Sequence, residues 1–403
     1  MKLHQNLALG IESCLKNILQ YKSAIRPSLN LLLKKNKRWG SRDRRLIGEG
    51  IFEIIRWKRK FSEMGKLDPK SDRYYWSLLG IWVINKNIPL PEWDFFSEIK
   101  SETFSLNLKP KKNARAILQS IPDWLDNLGL KNFGKSIWEK EIRSLNEKAP
   151  LVIRVNIFKT TPIKLKNILK KKYGIESTII PEFPTALFLN KHQKLNNIEL
   201  FKQGWFEVQD ANSQKVSIFA DPKPGMLVFD ACAGAGGKTL HLANLMKNKG
   251  RIIALDPNKK KLEQLEKRIK RNGVRIVKIQ NIDSDDIFKK YRKNVDLVLI
   301  DAPCSSLGVL RRNPALKWHM NPKQIDKLIQ VQQEILRKQS ILVKKGGTLV
   351  YSTCSIFSNE NEKQIQNFLK SNSGKSFRLE KEKTLLTQNS KGDGFYMARL
   401  NRI

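Results

Sequence analysis

The stretch Met226-Leu227-Val228-Phe229-Asp230-Ala231-Cys232-Ala233-Gly234-Ala235-Gly236-Gly237-Lys238-Thr239 opens as an apolar run of strand length and breaks into glycines before a helical pattern resumes. That order of strand, glycine turn and helix lets a backbone approach a ligand closely, because glycine has no Cβ and accepts left-handed dihedrals. A nucleotide-like cofactor is implied, with Cys232, Ala233, Gly234, Ala235, Gly236, Gly237 and Lys238 as its cradle. A phosphate-binding P-loop is disfavoured, since its spacing requires a glycine where Cys232 stands. Asp256 closes the next predicted strand, 20 residues after Gly236. A carboxylate there can hold two ribose hydroxyls, and it can equally cap the helix that Pro257 opens.

Working outward, strand patterns at 226–231, 251–255, 274–279, 295–300 and 348–351 alternate with helical ones, of which 259–272 is the clearest. Such alternation predicts an α/β domain over 211–403 with a mostly parallel, doubly wound sheet. Patterns at 377–379 and 395–400 are separated by a segment holding Gly392 and Gly394 that is too short for a helical crossover. An antiparallel hairpin at a sheet edge follows.

The fourth and fifth strands run into Asp301-Ala302-Pro303-Cys304-Ser305-Ser306-Leu307-Gly308 and Tyr351-Ser352-Thr353-Cys354-Ser355. Open α/β sheets place ligands at these strand ends, so adjacent strands would bring two thiols to the rim of one pocket. Taken singly, each cysteine reads as well as a small buried residue. The four cysteines are scattered, with no C-x-x-C pair and no histidine cluster, so neither a disulfide framework nor a metal site is indicated.

A chain of 403 residues carries two or three domains. Residues 1–118 read as helical, with Leu7, Ile11, Cys14 and Ile18 on one face and Leu46, Ile47, Ile51, Ile54 and Ile55 on another. The basic runs at 34–38 and 42–45 serve either as phosphate contacts or as solvated helix ends. Pro110 and its lysines suggest a linker near 105–122. Residues 119–210 show strands at 151–155, 175–180, 186–189 and 205–208, and a lysine-rich helix that Thr161-Pro162 opens and that ends near Lys172. This predicts a small α/β binding module. The net charge of +38, from 76 basic against 38 acidic residues, favours nucleic acid over anionic lipid as the partner, unless composition bias accounts for it. No secretory signal and no membrane span of about 18 apolar residues is found, which predicts a cytoplasmic protein, taken here as a monomer.

Residues 209–403 resemble the Fmu/Sun/NOP family of RNA cytosine-5 methyltransferases. The resemblance rests on Gln209-Asp210, Gly236-Gly237-Lys238-Thr239, Asp301-Ala302-Pro303-Cys304-Ser305, Arg311-Arg312-Asn313-Pro314 with Lys317-Trp318, and Tyr351-Ser352-Thr353-Cys354-Ser355 with Asn359-Glu360-Asn361-Glu362. Residues 121–208, with Pro122-Asp123-Trp124-Leu125 and Leu151-Val152-Ile153-Arg154-Val155-Asn156, resemble the family's small RNA-binding module. The first domain, through Asp43-Arg44-Arg45 and Ile55-Arg56-Trp57, is similar to the NusB-like extension of bacterial enzymes that modify 16S rRNA. The resemblance implies a class I, Rossmann-like fold and S-adenosylmethionine as cofactor. It assigns Cys354 as nucleophile, Cys304 to adduct breakdown, Asp301 to the cytosine ring, Lys238 to the base and Asp283 to the adenine.

Carbon 5 of cytosine is too weak a nucleophile to take a methyl group unaided, so a thiolate must first add at carbon 6. The target must also be unstacked or flipped outward. A DNA enzyme would use a Pro-Cys nucleophile, matching Cys304, but would not call for Thr353-Cys354. A tRNA target and a non-catalytic RNA-binding assembly factor are the other readings.

Overall fold

Leu7, Ile11, Cys14, Leu15 and Ile18 recur at helical spacing and form the buried stripe of α1 (Gln5–Leu19). The computed structural model describes residues 2–97, 99, 114–280 and 285–403, in two compact units. The first unit holds the chain up to Glu147 together with Leu310–Pro322. Its helices after α1 are α2 (Ile25–Lys35), α3 (Ser41–Met64), α4 (Tyr74–Asn85), α5 (Ala114–Leu118) and α6 (Asp123–Asn146). Residues 105–113 of the expected linker lie outside the described residues, and 114–118 are helical. The helix α4 is apolar on nearly every side and therefore central, with Trp82 buried and its Nε1 donating to Glu53. Arg44, from one of the basic runs, is engaged: its guanidinium donates to the carbonyls of Leu33, Asn36 and Trp39, which closes the end of α2.

A kink at Trp57 in α3 frees backbone groups that need partners. Ser120 Oγ accepts from the Arg59 N–H at 2.9 Å. The segment Leu310–Pro322 supplies the donors: Trp318 Nε1 reaches the Ile55 carbonyl at 2.8 Å and Lys317 Nζ the Arg56 carbonyl at 2.8 Å. Lys317 is fully buried and donates as well to Ser120 O and Asn146 Oδ1.

The second unit contains two sheets. In the smaller one, β1 (Leu151–Val155) is followed by α7 (Pro162–Tyr173), which Thr161 Oγ1 caps by accepting from Lys164 N–H. Then come β2 (Ser177–Thr178), β3 (Ala186–Leu189), α8 (Glu199–Lys202) and β4 (Phe206–Val208), paired in the antiparallel order β2-β3-β1-β4. Leu165 and Leu169 of α7 pack on Ile153 and Val155. The expected strand at 175–180 shrinks to two residues. Gly174 turns left-handed, the Ile175 N–H is still tied to the Leu169 carbonyl of the helix, and Pro181 lacks a donor.

The larger sheet begins with α9 (Ala211–Ala220), then β5 (Leu227–Asp230), α10 (Gly237–Leu245), β6 (Arg251–Leu255), α11 (Lys259–Asn272), β7 (Val277–Gln280), α12 (Asp285–Lys290) and β8 (Val295–Asp301). The chain continues through α13 (Leu316–His319), part of the first unit, to α14 (Pro322–Ser340), β9 (Val343–Thr353), α15 (Glu362–Lys370), β10 (Phe377–Leu385) and β11 (Phe395–Arg402). The strand order is β10-β11-β9-β8-β5-β6-β7, with β5 to β9 parallel and the β10–β11 hairpin antiparallel at the edge. Consecutive strands run outward from β5 in both directions. Its carboxyl end is therefore the topological switch point, where doubly wound sheets open a crevice. Among the described residues no helix is long and apolar enough to cross a membrane, and no group of His, Cys, Asp and Glu could hold a metal ion.

Candidate active site

A cleft of about 1090 Å³ opens at this switch point, and its walls include Cys232, Ala233, Gly234, Ala235, Gly237, Lys238, Asp256 and Asp301. Sequence reasoning placed all eight in the site. Gly236 does not line the cleft but is needed by the turn: φ is 87°, and a Cβ there would strike the Leu265 side chain. Asp283 lies outside the described residues. Of the two functions considered for Asp256, the helix-opening one is seen directly, and the residue also lines the cleft. Its Oδ1 accepts from Asn258 N–H at 2.8 Å, as a helix-opening turn does, while its Oδ2 accepts from Gly234 N–H at 2.8 Å and so ties the glycine turn to the end of β6. Gln209, Ser213, Pro257, Asn258 and Lys261 also line the cleft, with Val331, Glu334, Ile335, Lys338 and Gln339 of α14. The α14 residues carried no sequence signal, because their spacing only reports an amphipathic helix.

Lys238 opens α10 and faces the end of β8. Its Nζ bonds Asp301 Oδ2 at 2.6 Å, and Ser352 Oγ donates to the other carboxylate oxygen at 3.1 Å. Burial alone would lower the Lys238 pKa, but the Asp301 carboxylate overrides it and the pKa is raised, so the ammonium persists. Behind the pair, burial pushes the Asp230 carboxyl up to about 7 even though Thr239 donates to it.

Parallel pairing of β8 with β9 sets Asp301 opposite Ser352, and three residues beyond Asp301 and two beyond Ser352 the chains present Cys304 and Cys354. Their sulfurs are 3.4 Å apart, both partly exposed, and Ser306 Oγ stands 3.2 Å from Cys354 Sγ. The two thiols are unequal. A hydrogen bond from Cys304, helped by Ser306, holds the Cys354 pKa below the ordinary thiol value, whereas donating that bond and being buried push Cys304 well above it. Cys354 is thus the more acidic thiol of the pair.

The loops that carry the thiols are fixed from behind. Glu360 is buried and accepts from Ser305 N–H at 2.7 Å, Ser305 Oγ at 2.5 Å and Gln332 Nε2 at 3.1 Å. Asn361 accepts from Thr353 Oγ1 at 2.6 Å and donates to the Ser355 carbonyl at 3.0 Å. Gly308 N–H donates to the Cys354 carbonyl at 2.9 Å, and Gly394 N–H to the Gly308 carbonyl at 2.8 Å. Sequence reasoning read Gly394 only as part of a short connection. Its place against Gly308 depends on the edge hairpin, which no local pattern reveals.

A family model described as 16S rRNA methyltransferase RsmB/F matches residues 217–401, and one described as an RsmF/B-like ferredoxin-like domain matches residues 121–196. A probable ribosomal RNA small subunit methyltransferase B from Synechocystis is 35% identical over 303 residues, covering 70% of this chain and 67% of the relative. The ribosomal RNA small subunit methyltransferase B of Proteus mirabilis is 33% identical over 285 residues, covering 70% and 65%. The chain thus spans about two thirds of the length of these relatives. The crystal structure of PH0851 is similar over 100% of both chains, at 28% identity and a TM-score of 0.82.

Proposed function

We propose, from the premise that this chain belongs to the 16S rRNA methyltransferase RsmB/F family, that it methylates carbon 5 of a cytosine in 16S rRNA through a covalent Cys354 adduct. The cofactor of this methyltransferase is S-adenosylmethionine, which supplies an electrophilic methyl group. The cleft residues suit it. Backbone N–H groups at the start of α10 and the Asp256 carboxylate offer donors and an acceptor to the polar parts of an adenosyl amino acid, beside the apolar wall of Val331 and Ile335.

The observation that carries the reading is the pair of sulfurs 3.4 Å apart, of which Cys354 is the more acidic. The Cys354 thiolate adds to carbon 6 of the cytosine, and the displaced electron pair makes carbon 5 nucleophilic. Asp301, held by Lys238 and Ser352, accepts a hydrogen bond from the amino group of the cytosine and so orients the ring. After transfer, the proton on carbon 5 must leave and the carbon–sulfur electrons return to Cys354. Cys304, which gives up its own proton to solvent once Cys354 is tied up in the adduct, takes the carbon 5 proton, and the carbon–hydrogen electrons restore the ring double bond. The helical residues 1–118 and the module 119–210, whose α7 carries Lys164, Lys166, Lys170, Lys171 and Lys172, grip the surrounding RNA.

The test separates the thiols. Cys354→Ala abolishes methyl transfer and leaves no covalent complex. Cys304→Ala forms the adduct but releases it slowly, so a denaturing gel with labelled RNA and S-adenosylmethionine shows a shifted band for that variant alone. The reverse pattern refutes the nucleophile assignment.

A further inference from the structure

The glycine turn is held on its outer side by two guanidinium groups. Arg268 of α11 donates through Nη1 to the Ala235 carbonyl at 2.5 Å, and Arg154 of β1 donates through Nη1 to the Gly237 carbonyl at 2.6 Å. Neither arginine lines the cleft. Both are aimed by β4 of the small sheet. Glu207 accepts from Arg268 Nη2 at 3.0 Å, and Gln209, two residues on, accepts from Arg154 Nη1. Glu207 is itself 3% exposed, pairs with Arg154 across the β1–β4 ladder, and accepts from Arg271 and from Asn272 Nδ2. Arg154, at 2% exposure, is among the most deeply buried charged side chains. A buried guanidinium that spends its donors on a neutral backbone carbonyl and an amide is costly unless the position of that backbone matters.

From this arrangement we infer that Arg154 and Arg268 are positioning residues for the cofactor turn, and that Glu207 of the small module sets cofactor affinity through Arg268 without touching the ligand. The inference rests on the reading of the cleft as the S-adenosylmethionine site. The physical reason is preorganisation. A turn whose Ala235 and Gly237 carbonyls are held from outside by fixed guanidinium groups keeps its shape before the ligand arrives and loses less freedom on binding. The small module therefore does more than contact RNA: it supplies the back wall of the cofactor cradle.

The internal control is Arg271, which bonds the same Glu207 oxygen as Asn272 but reaches no carbonyl of the turn. Calorimetric titration of the full chain with S-adenosylmethionine, without RNA, is compared for wild type, E207Q, R268M, R271M and the double variant E207Q/R268M. The expected result is a Kd raised about tenfold in R268M and in E207Q, a double variant no worse than R268M, and an R271M close to wild type. RNA affinity at fixed salt stays within about twofold of wild type for E207Q, which an unfolded module would not allow. Equal losses in R268M and R271M, or additive losses in the double variant, would show general loosening and overturn the inference, as would unchanged affinity in R268M. A wild-type chain that binds no S-adenosylmethionine would overturn the cofactor reading itself.

Discussion

Gly308→Ala tests how closely the two thiol loops must fit. Gly308 has an ordinary backbone conformation, so alanine meets no dihedral penalty there, and any effect comes from contact alone. An added Cβ would collide with the Gly394 carbonyl oxygen and stand 2.7 Å from the Cys354 carbonyl oxygen. Carbon and oxygen approach comfortably at about 3.3 Å, so the Cys354 end of β9 must retreat by about 0.6 Å. Both obstacles are backbone, which cannot rotate away. Overpacking of this kind costs roughly 1 to 3 kcal/mol, a fall in Tm of roughly 3 to 10 °C for a unit of this size. Displacing a nucleophile by a fraction of an ångström should reduce kcat by roughly tenfold to a hundredfold. Cofactor affinity should not change, because Gly308 lies outside the cleft wall. Transfer of a tritiated methyl group to RNA, thermal unfolding and cofactor titration together read all three quantities. Wild-type turnover in this variant, or a loss of turnover matched by an equal loss of cofactor affinity, would refute the argument.

Much of the site was legible because its chemistry sits where periodicity breaks. The glycine turn, Asp256, and the Asp301 and Tyr351 strand ends are all local signals, and parallel pairing of β8 with β9 was enough to bring Cys304 to Cys354. What stayed hidden depends on contacts between distant segments. Glu207 reads as an ordinary alternating strand residue, and nothing nearby says that it faces Arg268 and Arg271. The motif Arg311-Arg312-Asn313-Pro314 with Lys317-Trp318 reads as part of a catalytic domain, yet its segment belongs to the helical unit. Lysine is almost never interior, so composition places Lys317 outside, where the structure buries it completely. One of its acceptors, the Arg56 carbonyl, lies where α3 kinks at Trp57, and no proline or glycine marks that kink.

The inequality of the thiols should appear in alkylation of the free enzyme. Because the thiolate reacts, Cys354 modification by iodoacetamide rises with pH through the Cys354 pKa, which the Cys304 hydrogen bond holds below the ordinary thiol value. Cys304→Ala removes the largest cause of that lowering, so the midpoint moves to higher pH; an unmoved or lowered midpoint would mean that the sulfur contact does not stabilise the thiolate. The last prediction concerns Lys317→Met, which preserves the length of the side chain and removes its three donors. The Arg56 and Ser120 carbonyls and Asn146 Oδ1 would then be buried without the ammonium, and each abandoned acceptor costs roughly 1 kcal/mol or more. Removal of a buried cation returns part of its desolvation cost, since burial and the Arg56 guanidinium hold the Lys317 pKa well below the ordinary lysine value. The two effects separate with pH. Between the folded and unfolded pKa values the unfolded chain binds the extra proton, so the wild type gains stability as pH rises, and the variant lacks this gain. Urea unfolding of both proteins at pH 6 and pH 9 should therefore show the variant less stable, by roughly 2 to 3 kcal/mol, with the gap wider at the higher pH. A gap that stays the same or narrows from pH 6 to pH 9 would refute this account, and an unchanged gap would mean that the three acceptors keep Lys317 charged over that range.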